Sequence, residues 1–114
     1  MDATEADDLL RVVGAIYDAS LDPDGWPTAL GLACSFLHAG AANIFWQDAA
    51  PRSAMVLHNH GDSPEAIASY LERYVHLNPL FPAAAFVEPG VVFSGIDFMP
   101  HEEFQQTRFF KEWV

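Results

Sequence analysis

His58 and His60 flank Asn59 inside a short run of β-forming residues. Alternate residues of a strand face the same side, so both imidazoles point one way and could hold a transition metal. A zinc site needs at least a third protein ligand. Asp62, Cys34 and His38 are the candidates, and none stands at a recognised ligand spacing from the pair. The two histidines are therefore read as a solvated hairpin end beside Gly61-Asp62, with no metal. His38 is better explained by the negative end of the helix that precedes it. Cys34, the single cysteine, lies mid-helix among Ala33, Phe36 and Leu37, where thiols are usually buried and inert. Glu102 and Glu103 are adjacent, so on a helix they face different directions and do not form an acid–base pair. They suit the first turn of a helix instead. No Gly-rich phosphate loop, GxSxG elbow or HExxH is present. No catalytic residue and no cofactor is assigned, and the chain is not read as an enzyme.

Aromatic side chains carry more signal. Phe45, Trp46, Tyr70, Tyr74, Phe81, Phe86 and Phe93 come from a hairpin, a helix and the segment that follows it. Tyr and Trp join an apolar body to a hydrogen-bonding tip, which suits the wall of a small-molecule pocket. Taken one at a time, each is better explained as core. Tyr70 and Tyr74 stand out because they are four apart on one helix face, and each hydroxyl needs water or a partner.

The elements that must position these residues follow from periodicity and breakers. Thr4 is expected to cap a first helix whose apolar stripe is Leu9, Val13, Ile16 and Tyr17. Asp22-Pro23-Asp24-Gly25 breaks it. A second helix starts around Pro27, presents Leu30, Ala33, Cys34 and Leu37 on one face, and stops at Ala39-Gly40. Residues Ala42 to Gln47 and Ala54 to Asn59 form a hairpin around the loop Asp48 to Arg52. Ser63-Pro64-Glu65 launches a third helix with Ile67, Tyr70, Leu71, Tyr74 and Val75 on its apolar face, and Asn78-Pro79 ends it. Leu80 to Pro89 is read as a helical turn or loop, Val91 to Ser94 as a strand after Gly90, and the last helix as starting near His101. The expected class is α+β, a small antiparallel sheet with flanking helices.

Composition narrows the partners. The chain has 114 residues, the size of one domain, and 5 Lys+Arg against 16 Asp+Glu give it a net charge of −11. Nucleic-acid affinity rests on clustered Lys and Arg, so this segment is not expected to contact nucleic acid. The same charge opposes docking on an anionic membrane. At 51% hydrophobic and 13% aromatic, the sequence is too apolar for a disordered acidic tail. The acidic start lacks the positive charge and apolar run of a signal peptide, and no stretch nears the ~20 apolar residues of a membrane span. A cytoplasmic location is expected.

Four pieces, in order, resemble one family: LDPDGWPTAL (Leu21 to Leu30), PEAIASYLERYVHLNPL (Pro64 to Leu80), EPGVVFS (Glu88 to Ser94) and FFKEWV (Phe109 to Val114). They look like the N-terminal sensor region of bacterial LuxR-type helix-turn-helix transcriptional regulators. The resemblance implies a PAS- or GAF-like sensor domain that binds a small molecule or partner, often dimerises, and precedes a DNA-binding domain. In quorum-sensing members, helix aromatics and an Asp before Pro line an acyl-homoserine-lactone pocket. Tyr70, Tyr74 and Asn78 occupy the matching positions, and Asn78 lacks the charge that strengthens a bond to a ligand N–H. The expectation is therefore an unidentified small apolar or amphipathic ligand, with Trp46, Met55, Leu57, Tyr70, Tyr74, Asn78 and Phe93 as the pocket wall. The chain is expected to stop before the last strands of its sheet. An exposed sheet edge and the apolar face of the last helix would then favour a homodimer. The alternative is a purely structural homodimerisation module with no ligand.

Overall fold

The computed structural model describes residues 1–48, 53–83 and 86–114. Most of the expected hairpin loop 48–52, and residues 84–85 of the 80–89 segment, lie outside the described residues. The chain is α+β, mostly helical with one two-stranded antiparallel sheet, and it divides into two compact units. Met1–Trp46 with Val56–Pro64 make the first unit, and Gln47–Met55 with Glu65–Val114 make the second. Among the described residues, no helix is long and apolar enough to cross a membrane.

In the first unit, α1 runs from Ala3 to Leu21. Its cap is Asp2 rather than Thr4: the Asp2 carboxylate accepts the Glu5 N–H at 2.8 Å. A carboxylate in that seat satisfies an orphan donor and meets the positive helix end with charge, which a threonine cannot do. The expected stripe is also displaced. Val12 and Ala19 are buried and Ala6, Leu9 and Ala15 half-buried, whereas Val13, Ile16 and Tyr17 are exposed. Small residues let α1 approach its neighbour closely, so the seam runs through alanines. Asp22 ends the helix, and its carboxylate accepts the Asp24 N–H across the 3₁₀ turn Pro23–Gly25.

Trp26–Leu37 form α2, with Pro27 in the first turn as expected and Ala29 and Cys34 buried. Leu37 is exposed. The helix stops one turn element earlier than Ala39-Gly40. His38 itself takes the left-handed position, φ 56°, that glycine usually fills.

Ala42–Asp48 (β1) and Ser53–His60 (β2) form the hairpin, one residue longer at the expected ends. A lone two-stranded hairpin is marginal in water and needs packing. The first unit supplies it: the His58 ring lies 6.1 Å from that of Trp26, and a Cβ on Gly31 would sit 3.1 Å from His60 Cε1. Both imidazoles approach α2; His58 is half-buried there, whereas His60 stays exposed at the solvated hairpin end. At the base, Asn43 Nδ2 donates to Asp62 Oδ2 at 3.0 Å, and Asn59 Nδ2 to the Asp62 carbonyl at 2.9 Å. Gly61, at φ 98°, makes the close turn possible.

In the second unit, α3 runs from Pro64 to Glu72. It ends earlier than expected, because Arg73 leaves the helical region (φ −131°, ψ −54°) and Tyr74–His76 form a 3₁₀ turn. Tyr70 and Tyr74 are thus not an i, i+4 pair on one α-helix. The apolar face is otherwise as read: Ile67, Tyr70, Leu71 and Tyr74 are half-buried and Val75 is buried. Leu80–Ala83 form α4, with Phe81 buried.

Val91–Ser94 is not a strand. Its β-forming residues have no paired neighbour in the two-stranded sheet, and Val92 is fully in solvent. Ser94 instead caps a 3₁₀ turn, Gly95–Asp97, its N–H donating to Asp97 Oδ2 at 2.8 Å. The expected last helix is two, α5 (His101–Gln105) and α6 (Arg108–Glu112). Thr107 divides them: its hydroxyl donates to the Phe104 carbonyl at 2.7 Å and accepts the Phe110 N–H at 3.1 Å. A side chain that bonds the backbone on both sides competes with the continuous helix.

Candidate functional site

The second unit concentrates the polar and aromatic groups that could recognise a ligand. Asn78 follows the 3₁₀ turn and precedes Pro79, a placement that leaves its side chain free to cap α4. Its Oδ1 accepts the Leu80 N–H at 3.0 Å, and its Nδ2 donates to Tyr70 Oη at 3.0 Å. One amide therefore fixes the start of α4 and ties it to α3. The Tyr70 ring is held from the other side, 6.0 Å edge-on to Phe109 and 5.1 Å from Trp113. Trp113 Nε1 donates to the Ala66 carbonyl at 3.2 Å, which locks α6 against α3.

Removal of both Asn78 bonds has a calculable effect. Asn78→Ala is expected to cost about 1–2 kcal/mol, the sum of a cap and a part-buried hydrogen bond. Asn78→Asp keeps the cap, and Tyr70 can rotate its hydroxyl to donate to the carboxylate, so the loss should be much smaller. Urea unfolding of the three proteins checks the order.

Tyr74 donates to Glu112 Oε1 at 3.4 Å, at the edge of hydrogen-bond range. Glu112 also accepts from the Arg108 guanidinium, one turn earlier. That hydrogen bond holds the Glu112 carboxyl below its ordinary value, with Tyr74 and Arg73 adding to the effect, and it raises Arg108 in turn. A depressed carboxylate stabilises above its unfolded value and loses that contribution as pH falls through its folded one. Carboxyl-resolved NMR should find the Glu112 midpoint below that of an ordinary glutamate, and Arg108→Gln should bring it back up.

Phe93 rests edge-on against Phe98, ring centres 5.3 Å apart. The second unit contains a cavity of about 170 Å³ lined by Leu80, Ser94, Ile96, Met99, His101 and Phe104. Gly95 lies at its wall, where a Cβ would come within 3.0 Å of Leu80 Cδ1. The lining is mainly apolar, with Ser94 and His101 as polar tips, and Leu80 links it to the Asn78 cap. Ligand pockets for drug-sized molecules span ~300–1,000 Å³, so this one suits something near the size of a single ring. Residues 95–100 show no periodicity that would mark them as a pocket wall.

Of the residues expected in the pocket wall, the structure joins Tyr70 directly to Asn78 and sets Tyr74 and Phe93 in the same unit. Met55 belongs to that unit at the hairpin tip and is 57% exposed. Trp46 and Leu57 belong to the first unit and are about half exposed.

The first unit has its own cavity of about 330 Å³, lined by Glu5, Asp8, Ser35, Phe36 and His38, between the start of α1 and the end of α2. Among the described residues, no group of three His, Cys, Asp or Glu is placed to hold a metal ion, and Cys34 is a buried free thiol. No family model, no curated protein and no solved structure matches the chain.

Proposed function

We propose that the chain is a non-catalytic, small-molecule-sensing regulatory domain of a bacterial LuxR-type transcriptional regulator, with a PAS- or GAF-like fold. The observation that carries this reading is the apolar cavity of the second unit, bounded by Leu80, Ile96, Met99 and Phe104, whose Leu80 N–H is held by Asn78. Asn78 stands where a pocket residue of that family would stand, and its cap sets the position of Leu80 at the cavity wall. A ligand that orders this wall would bias the position of α4 and, through Tyr70, of α3. That is how occupancy is passed to a distant DNA-binding domain. The cavity volume favours a single-ring or short-chain amphipathic molecule over a long acyl chain. A charge of −11 leaves nucleic-acid contact to another segment.

Thermal-shift titration with small aromatic acids, short acyl-lactones and short lipids tests it. At least one class should raise the unfolding temperature in proportion to occupancy. Met99→Trp, which fills the cavity, should abolish the response while the Asn78→Asp protein keeps one.

The second reading, a purely structural homodimerisation module, is favoured by one observation: an apolar face on α1 that the first unit does not cover.

A further inference from the structure

α1 is apolar on two opposite sides. One side, through Val12 and Ala19, is buried. Opposite it, Leu10, Val13, Gly14, Tyr17 and Leu21 follow the i, i+3, i+4, i+7, i+11 spacing of a single stripe. Tyr17 is 71% exposed and Leu21 89%. The Ser20 hydroxyl beside the stripe donates to the Ile16 carbonyl at 3.0 Å, so it adds no free polar group there. A helix that is apolar on both sides is normally covered on both.

We propose that this stripe is covered by α1 of a second copy of the chain, packed antiparallel about a two-fold axis near Ala15 and Ile16. Shape selects that partner, and one ion pair, formed twice, supports it. In this register Leu10 meets Leu21 of the second copy, and Gly14 meets Tyr17 of the second copy. No atom lies within 4 Å of a Cβ built on Gly14, so the bare backbone there is a hole for the tyrosine knob. Two-fold symmetry makes each of these contacts twice. Arg11 is the only base in α1 and lies on the rim beside Asp18. The same register brings Arg11 within side-chain reach of Asp18 of the second copy, an axial offset of about 3 Å, and again the pair forms twice. Asp7 lies further along that rim and approaches the Asp22 end of the second helix, which opposes association.

The stripe from Leu10 to Leu21 is only about 16 Å long, so the interface is at the small end and the dimer should be a micromolar one. Two chains of −11 repel, but a screening length of about 8 Å at physiological salt weakens that repulsion more than it weakens a contact ion pair. The inference rests on neither the ligand nor the sensing role of the proposed function. A monomer that still binds a small molecule would end the dimer and leave the sensor standing.

Sedimentation velocity of the whole chain, from about 1 to about 100 µM, tests it. A reversible monomer–dimer equilibrium is expected. Tyr17→Glu should raise the dissociation constant at least about tenfold. Arg11→Asp and Asp18→Arg should each weaken the dimer, and the double exchange should restore it, a rescue that damage to folding cannot mimic. A chain that stays monomeric throughout, a dimer indifferent to Tyr17→Glu, or a double exchange no better than the single ones would each overturn the proposal.

Discussion

Phe109→Ala should lower stability by about 3–5 kcal/mol, the usual cost of emptying a buried aromatic site. Phe109 is 4% exposed, stacks on Trp113 at 5.4 Å, and touches Tyr70 and Phe104 at 6.0 and 6.1 Å between ring centres. Its loss frees both sides of α6 and leaves Tyr70 without one wall. Because a domain is stable by only about 5–15 kcal/mol in all, such a loss is a large share of the total. Phe86 is the control, since it is in solvent, and Phe86→Ala should stay within about 0.5 kcal/mol of the parent. Denaturant midpoints of the two variants measure the contrast, and equal midpoints would mean that α6 is not packed on α3.

Gly61→Ala should strongly destabilise the first unit despite adding one methyl group. A Cβ there would overlap the Gly40 carbonyl oxygen and lie 2.9 Å from Ala41 Cα, both backbone atoms that cannot swing aside. The positive φ adds a strain of about 1–3 kcal/mol for any side chain. Relief requires the turn to move away from β1, which pulls Asp62 from Asn43. Gly14→Ala should have the opposite sign. That glycine is inside α1 with open space around its Cβ position, and the helix gains about 0.5–1 kcal/mol when the flexible residue is replaced. Thermal unfolding at low micromolar concentration separates the two.

Much of the architecture could be read from local chemistry. Pro27 and Pro64 stand in the first turns of their helices because a missing N–H costs nothing there, and both starts were readable for that reason. The hairpin was readable from the change of period at Ala42. What escaped was decided by neighbours. In α1 the apolar residues occupy both sides, so hydrophobicity alone cannot tell that Val12 and Ala19 face inward while Val13 and Tyr17 do not. Val91–Ser94 has the composition of a strand, but composition carries no information about whether a partner strand exists. The last helix divides where the Thr107 hydroxyl bonds the backbone on both sides, and α3 breaks where Arg73 leaves helical φ/ψ although its N–H still donates to the Ser69 carbonyl at 3.0 Å; apolar periodicity marks neither point.

The site divides the same way. Tyr70 was singled out by type and spacing and Asn78 only by the family resemblance, and the two meet at 3.0 Å. The Asn78 amide donates to Tyr70 through Nδ2 and accepts the Leu80 N–H at Oδ1, so both its polar atoms are engaged within the chain. None of the residues expected in the pocket wall lines the second unit's cavity; it is built in part from Ile96, Met99 and His101, which come from an aperiodic segment and share a wall with Leu80 where Gly95 packs against it.

Native mass spectrometry of the chain purified from cells, read together with the same measurement on Met99→Trp, tests the sensing role most directly. The account predicts a bound small molecule of roughly single-ring or short-chain size on the parent chain, lost from the cavity-filling variant. A parent chain with no bound mass, and an unfolding temperature unmoved across aromatic acids, acyl-lactones and short lipids, would contradict it and leave a structural dimerisation module.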